Sequence, residues 1–543
     1  MYVPISANWK SHHSSEFAAR YRARGDWLGL TLRDFLTREV EADPLRLMFS
    51  EEERAWRVED IFAHATALAT SLHELGIQSG DVISFQLPNW TEAVIIDCAA
   101  AIGGFVCNPI VLNHRSAELR QILADCQSKA IFVPSRYRDH DYEGMISNIL
   151  VDIPHLQHII TVRGQGKTTF EALVDAGGNR PAWCPDVDPD SPKMILFTSG
   201  TTGRAKGVVH SHNSFHCELE ANRKFWSLGR SDCGLVTGPV GHMAGYLYAC
   251  NGPLQWGTSC ALVERWDAHR AADLIERLGV TFSVGPPVFL QDLINVAEGS
   301  NRRFPSLRLF VCGGASVPPA VISAAFETFA NCVAFRSYGS TEAPTTTLGI
   351  ADPSDVIACA NTDGEVYNNE VRIVDEQGNE LPPGGEGEVL IRGPECMLGY
   401  ANEADNAASY DGDNFWKSGD LGRIDKNNRL TITGRKKDLI IRGGENISAR
   451  EIEDALHVHS AVLQAAAVSA PHPRLGETVF AFIVLRQGCE VTHEQLLRHL
   501  EELGLAKYKW PEQVRFVNQL PLTAYGKVRK NVLRDELRTG FAR

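Results

Sequence analysis

The sequence predicts an α/β protein. A large N-terminal domain of layered α/β subdomains with a β-rich subdomain precedes a small C-terminal α+β domain. Three observations lead there. Apolar runs of strand length alternate with helical patterns as far as about residue 311, which calls for sheets covered by helices. Between 365 and 392 the pattern changes to short strands and tight turns. Beyond a stretch at 434–444, where glycines and cations fall together, about 100 residues carry capping boxes and apolar strands on the scale of a small domain. At 543 residues the chain is also too long for one ordinary core.

Taken in order, residues 58–75 carry a helical repeat that Gly76 stops, and a strand follows at 82–87. A second helix over 91–101 ends at Gly103-Gly104. Buried strands are predicted at 130–133, 159–162, 260–263, 281–284 and 309–311. Glu376-Gln377-Gly378-Asn379 and Pro382-Pro383-Gly384-Gly385 are turn signals. Ser448-Ala449-Arg450-Glu451 is a capping box that opens a helix to about His457, and Thr492 with Gln495 repeats it before 496–503. Strands at 465–469 and 479–485 fall between these helices. The chain has no internal repeat and no low-complexity tract.

Composition narrows the function. An apolar fraction of 44% with 22% charged residues is that of a soluble globular protein. A net charge of −14 argues against nucleic acid as a partner, since nothing broad neutralises phosphates, yet it permits a local basic funnel. Thirteen cysteines without a C-x-x-C pair fit reduced thiols rather than a disulfide framework or a zinc cluster. The N-terminus, with Lys10, His12, His13 and Glu16 and no apolar run, does not read as a secretory signal. Residues 98–113 are uncharged but fall short of the ~18 a membrane helix needs, and Gly103, Gly104 and Pro109 interrupt them. A buried helix followed by a buried strand accounts for them, no membrane span is expected, and the expected location is cytoplasmic.

The most informative stretch is Thr198-Ser199-Gly200-Thr201-Thr202-Gly203-Arg204-Ala205-Lys206-Gly207. Four small hydroxyls, three glycines and two cations occur in ten residues, between Met194-Ile195-Leu196-Phe197 and Val208-Val209. Two strands joined by a polar loop is the natural reading. Glycine lets successive N–H groups face one concavity, and the hydroxyls and cations add donors and charge, a combination suited to a polyphosphate. It is not a Walker loop, because Ala205 stands where the second glycine is required. An ordinary Ser/Thr/Gly surface loop is the alternative.

Four further clusters are individually weak. Tyr338-Gly339-Ser340-Thr341-Glu342 offers a ring for a base and a carboxylate for a divalent cation, or is a turn with a surface glutamate. Trp416-Lys417-Ser418-Gly419-Asp420 offers an acceptor for ribose hydroxyls, or is an ordinary turn. Gly434-Arg435-Lys436-Lys437-Asp438 leads to Gly443-Gly444-Glu445-Asn446. Leu522-Thr523-Ala524-Tyr525-Gly526-Lys527 ends in a lysine that would ordinarily be a solvated surface charge. Gly313-Gly314-Ala315 lets a ligand approach the backbone, or turns the chain.

In this order and spacing the clusters resemble the adenylate-forming superfamily of acyl-CoA synthetases, luciferases and non-ribosomal-peptide adenylation domains, from about residue 30 to 535. The resemblance implies that fold, with residues 1–436 as the adenylation domain, 437–543 as a mobile small domain, and Lys437 as the hinge. It implies that Thr198, Ser199, Gly200, Thr201, Thr202, Gly203 and Lys206 wrap the β- and γ-phosphates of ATP. Gly314 and Ala315 would border the adenine, with Tyr338 stacked on it. Thr341 would contact the α-phosphate, Glu342 would hold Mg²⁺, and Asp420 would bind the ribose with help from Arg435. Lys527 would bridge the substrate carboxylate and the α-phosphate, and Gly443 and Gly444 would pass coenzyme A. Ala205 departs from the family's usual proline, loosening the loop by less than about 1 kcal/mol.

The implied reaction is transfer of AMP from ATP to a carboxylic acid with release of pyrophosphate, then acyl transfer to CoA. The acyl pocket would include His242, Met243, Gly245, Tyr246 and Gly313. His242 closes the pocket mouth or is simply packed. Met243 replaces the aspartate with which amino-acid-activating relatives hold an ammonium, so a neutral apolar acid is expected. The segment resembles ligases for alicyclic, medium-chain or aryl acids. Sixteen residues (528–543) follow Lys527, which favours free CoA over a tethered carrier. The rival readings are loading of a separate carrier protein and a catalytically silent nucleotide-binding relative. The partners expected are small molecules, and the oligomeric state, a homodimer among the options, is left open.

Overall fold

The computed structural model describes residues 11, 13–51, 54–198, 204–523 and 527–541. Two seven-stranded sheets form the body. One runs Gly399–Tyr400, Lys206–Ser211, Pro192–Thr198, Val106–Pro109, Val82–Phe85, Ala130–Pro134, His158–Val162. The other runs Val333–Arg336, Leu309–Cys312, Phe282–Gly285, Cys233–Val236, Ser259–Leu262, Leu47–Glu51, Arg54–Arg57. Their inner strands pair in parallel. Strands covered on both faces read as unbroken apolar runs, and Ala130–Pro134 is buried at every residue. The largely apolar helix Thr91–Gly103 is also buried throughout, its two carboxylates, Glu92 and Asp97, paired with Arg163 and Lys193.

The expected helices at 58–75 and 91–101 appear as Val58–Glu74 and Thr91–Gly103. Two helices that the mixed N-terminal pattern did not resolve, Ser15–Arg24 and Leu32–Ala42, precede them. The polar loop joins a hairpin, with Pro192–Thr198 antiparallel to Lys206–Ser211.

The β-rich subdomain is a four-stranded antiparallel sheet of Glu370–Val374, Gly387–Arg392, Trp416–Ile424 and Leu430–Arg435. Ser418-Gly419-Asp420 is therefore strand, not the turn its composition allowed. The register slips between Leu421 and Gly422, an irregularity that re-aims side chains beside it. Sheet membership changes across the short 3₁₀ turn Lys436–Asp438, since Leu439–Arg442 belongs to the C-terminal sheet. That sheet carries Ala449–His457 and His493–Glu502 on a core of Ile440, Ile452, Leu456, Leu496 and Leu500. Ser448 caps the first of these helices and donates to Thr433 O at 2.6 Å. Arg534 pairs with Asp438 at 3.0 Å, and Arg450 reaches Asp363 at 3.8 Å.

All thirteen cysteines are free thiols, eleven of them buried. Among the described residues no helix is long and apolar enough to cross a membrane.

Candidate active site

The site lies where the C-terminal ends of the sheets meet the β-rich subdomain and the tip of the small domain. Asp420 is buried, and Arg435, its register partner on the next strand, pairs with it at 2.6 Å through Nε. The Tyr338 hydroxyl donates to the other Asp420 oxygen, also at 2.6 Å. The carboxylate is thus fixed on both sides by groups that came from separate sequence clusters. Burial and Asp420 push the Tyr338 phenol well above its ordinary value, so it stays a donor.

Thr341 and Glu342 are held from two directions. His210, on the strand leaving the polar loop, donates from Nε2 to Thr341 O at 2.8 Å. Its burial lowers its pKa to about 4, so the ring is neutral and that contact sets the tautomer. Tyr400 donates to Glu342 Oε1 at 2.9 Å. Its ring also lies under the Lys206 ammonium, 4.7 Å from Nζ. Sequence reasoning missed Tyr400, a lone aromatic in a two-residue strand, Gly399–Tyr400, with no motif around it.

Of the loop predicted to wrap phosphates, Ser199, Gly200, Thr201, Thr202 and Gly203 lie outside the described residues. Thr198 and Lys206 stand opposite each other at its two stems. Arg204 binds Asp125 at 2.7 Å, and Ala205 O accepts from Gln121 at 3.3 Å. Both partners lie on the helix Ser116–Asp125, which braces this arm of the loop at Ala205. Gly314 and Ala315 follow the strand Leu309–Cys312.

Lys527 brings the small domain to this cleft, while Ala524, Tyr525 and Gly526 lie outside the described residues. Its own N–H and C=O bond back to Thr523 at 3.1 and 2.7 Å. Burial first, then the charges of Arg435 and Lys437, lower its pKa to about 8, against the opposing pull of Asp420 and Glu342. Lys527 in turn adds to the burial that takes His242 down to about 3. Groups from both domains therefore share one electrostatic environment. A pH dependence follows. Lys527 is protonated below about 8, so kcat/KM for a reaction that needs its charge should fall as pH rises through 8. The alkaline limb should move upward in Lys527→Arg; a limb that stays in place assigns it to another group.

Met243 is buried and His242 partly so, but neither lines the small apolar cavity that begins at the next residues. Gly245, Ala244, Tyr248, Val236 and Val284 help line it. Gly245 is dictated by packing, because a Cβ there would sit 2.0 Å from Pro239 O. Tyr246, expected in the acyl pocket, does not line this cavity. Its hydroxyl donates to Asp97 and accepts from Lys193 at 2.9 Å. Gly313 lies where a Cβ would meet Ser337 O at 2.7 Å. Gly443 and Gly444 form the two-residue turn between Leu439–Arg442 and Glu445–Ser448. Both have positive φ, +61° and +96°, the pair of values a type I′ hairpin needs.

Among the described residues no three His, Cys, Asp or Glu side chains cluster as a metal cage. Glu342, a single hard oxygen donor, fits Mg²⁺, which keeps its waters and takes other ligands from phosphate.

A family model described as AMP-binding enzyme matches residues 36–401, and one described as AMP-binding enzyme C-terminal domain matches 451–527. The chain is 32% identical over 527 residues to the medium-chain fatty-acid–CoA ligase of Escherichia coli, covering 96% of this chain and 92% of that protein. It is 31% identical over 531 residues to the salicyl-AMP ligase / salicyl-S-ArCP synthetase of Mycobacterium tuberculosis, covering 96% and 93%. Among solved structures, ATP-bound MatB from Rhodopseudomonas palustris matches with a TM-score of 0.82 at 27% identity, over 93% of this chain and 99% of that one.

Proposed function

This chain belongs to the AMP-binding enzyme family and is an AMP-forming acid ligase, and from that premise we propose that it converts an apolar medium-chain, alicyclic or aromatic acid to its CoA thioester. The convergence of Lys527 with Glu342, Asp420 and His242 carries this reading.

A carboxylate has no good leaving group, so it must first become a mixed anhydride. Its oxygen attacks the α-phosphorus of ATP, the bond to the bridging oxygen breaks, and pyrophosphate leaves with that electron pair. Both reactants are anions, and the nucleophile is already ionised near neutral pH, so no base is needed. What the residues supply is charge and position. The Lys527 ammonium sits between the acid and the α-phosphate. Asp420, fixed by Arg435 and Tyr338, accepts the ribose hydroxyls. Thr341, fixed by His210, donates to the α-phosphate. The hydroxyls and N–H groups of 198–203, with Lys206, hold the β- and γ-phosphates. Mg²⁺ on Glu342, when bound, neutralises phosphate charge.

The thiol then attacks the acyl carbon and AMP departs. Lys527 occupies the side this step needs, so residues 437–543 rotate about Lys437 and present Gly443-Gly444 to the pantetheine. The single 3₁₀ turn Lys436–Asp438 between two sheets suits a hinge, which only a few backbone angles need serve. Lys437→Pro should therefore impair thioester formation more than pyrophosphate exchange. Equal loss in both assays would count against the rotation.

Exchange of labelled pyrophosphate into ATP, across a panel of acids, tests the first half-reaction. Adding CoA or a phosphopantetheinylated carrier protein tests the second. The likeness to the mycobacterial salicyl-S-ArCP synthetase, nearly as high as that to the CoA ligase, favours the carrier as second reading.

A further inference from the structure

The turn that opens the helix Thr91–Gly103 reaches across to the segment expected to line the acyl site. Asn89, in that turn, is 5% exposed. Its Nδ2 donates to Gly238 O and to Val263 O, both at 3.0 Å, and its Oδ1 accepts from the Val240 N–H at 2.9 Å. An asparagine just before a helix ordinarily bonds its own backbone. These three bonds instead span 149, 174 and 151 positions. They also fix the amide, since a flipped group would face oxygen to two carbonyls and N–H to N–H. The partners lie just beyond the strands Cys233–Val236 and Ser259–Leu262 of one sheet. Asn89 follows Val82–Phe85 of the other, the sheet that carries the polar-loop hairpin.

Asn89 stands on a fixed base. Beside it, Trp90 Nε1 donates to Glu264 at 2.8 Å, so Asn89–Val263 and Trp90–Glu264 are successive joins between the same two segments. The Arg163 guanidinium lies 4.2 Å from the Trp90 ring centre and pairs with Glu51 and Glu92. Thr91 donates to Glu51 from its N–H at 3.0 Å and from its hydroxyl at 3.2 Å. Downstream, the Asn89 contacts are passed along a tightly packed chain. The His242 N–H donates to Pro239 O at 2.9 Å, and the Tyr246 N–H donates to His242 O at 2.8 Å. Gly245 packs directly on Pro239 O, and a Cβ at Gly241 would strike Ile110 O. A shift at 238 or 240 therefore moves 242 and 245 as well.

We infer that Asn89 is a positioning residue for the acid. Acting through Gly238 and Val240, it sets where residues 242–245 stand relative to the phosphates held on the other sheet. This rests on the reading of residues 238–246 as the acyl wall. It goes beyond that reading by naming a residue outside the wall that decides its placement.

The test is pyrophosphate exchange with hexanoate, octanoate, benzoate and cyclohexanecarboxylate, in Asn89→Leu and in Asn89→Asp. The first removes all three bonds at similar volume; the second keeps the shape and the acceptor. For the best acid, kcat/KM should fall about tenfold to a hundredfold in Asn89→Leu, because small misplacements at a reacting centre are costly. KM for ATP should stay within about threefold of the parent, since the nucleotide contacts are untouched. Asn89→Asp should show the same split in smaller measure. A brace of the whole domain would instead worsen acid and ATP parameters together. The inference is overturned if both variants show that joint loss, if both lose ATP binding, or if neither changes the acid parameters. His242→Ala separates this from the reading beneath it. If it alters the ranking of the acids while the Asn89 variants do not, this inference alone falls. If neither it nor they alter acid kinetics, or if none of the acids supports exchange in the parent, the acyl-wall reading falls with it.

Discussion

Lys527→Ala is expected to slow acyl-AMP formation by about a hundredfold to a thousandfold, the usual loss when one preorganised charge is removed from a developing transition state. Arg435 and Lys437 stay close to the site, so a residual rate should persist. The loss should be confined to one half of the reaction. With chemically prepared acyl-AMP and CoA, the variant should transfer the acyl group within about threefold of the unaltered enzyme, since no transition-state contact is then missing. Lys527→Arg should recover part of the exchange rate. Comparable losses in both half-reactions would sink the assignment.

Folding should not suffer from the same change. Lys527 has a folded pKa of about 8, below the ordinary lysine value. Its charged form is therefore disfavoured by folding, a penalty fully present below pH 8 and relieved as pH rises toward the unfolded value. The alanine variant should be at least as stable as the parent at pH 7. The parent should gain on it as pH rises above 8. Thermal midpoints across that range separate a catalytic role from a structural one.

Much of this arrangement was legible because its chemistry is local. A polar loop between apolar strands needs no partner to be recognised, and the hairpin 192–211 follows from it. Capping at Ser448 and Thr492 is likewise written within four residues. Other parts depend on distant groups. Ser418-Gly419-Asp420 has the composition of a turn, but Asp420 pairs with Arg435 on one side and the Ser418 hydroxyl donates to Val389 O on the other, holding the segment within a strand. The helix His212–Phe225 is rich in His, Asn, Ser and Glu, yet ten of its residues are buried. Its polar side chains meet partners from other segments, as Glu218 meets Thr345 across 127 positions. Tyr400 finds Glu342 across 58 positions. No periodicity reports such pairings. They appear only when the topology brings the segments together, and they are where the site acquires its rigidity.

The pair most hidden from the sequence has the largest expected effect on stability. Lys193 and Asp97 are 2% and 0% exposed at the side chain, and the ammonium reaches both carboxylate oxygens, at 2.9 and 3.0 Å. Tyr246 completes the group through Nζ at 2.9 Å and through its own bond to Asp97. The Lys193 ammonium also lies 5.0 Å from the Tyr246 ring and 5.6 Å from that of Phe215. Lys193→Met keeps the volume but leaves the Asp97 carboxylate buried with only neutral partners, Tyr246 and Cys107. The expected loss is about 3–5 kcal/mol of large-domain stability, read as a lower urea midpoint at unchanged slope. Replacing both members, as Lys193→Met with Asp97→Leu, removes the stranded charge and should restore most of that loss. Because Tyr246 adjoins Gly245 and Met243, the single variant should also raise KM for the acid more than KM for ATP. A single variant less than about 1 kcal/mol below the parent would mean that Asp97 finds another partner or its proton, and that the group does not anchor the acyl segment.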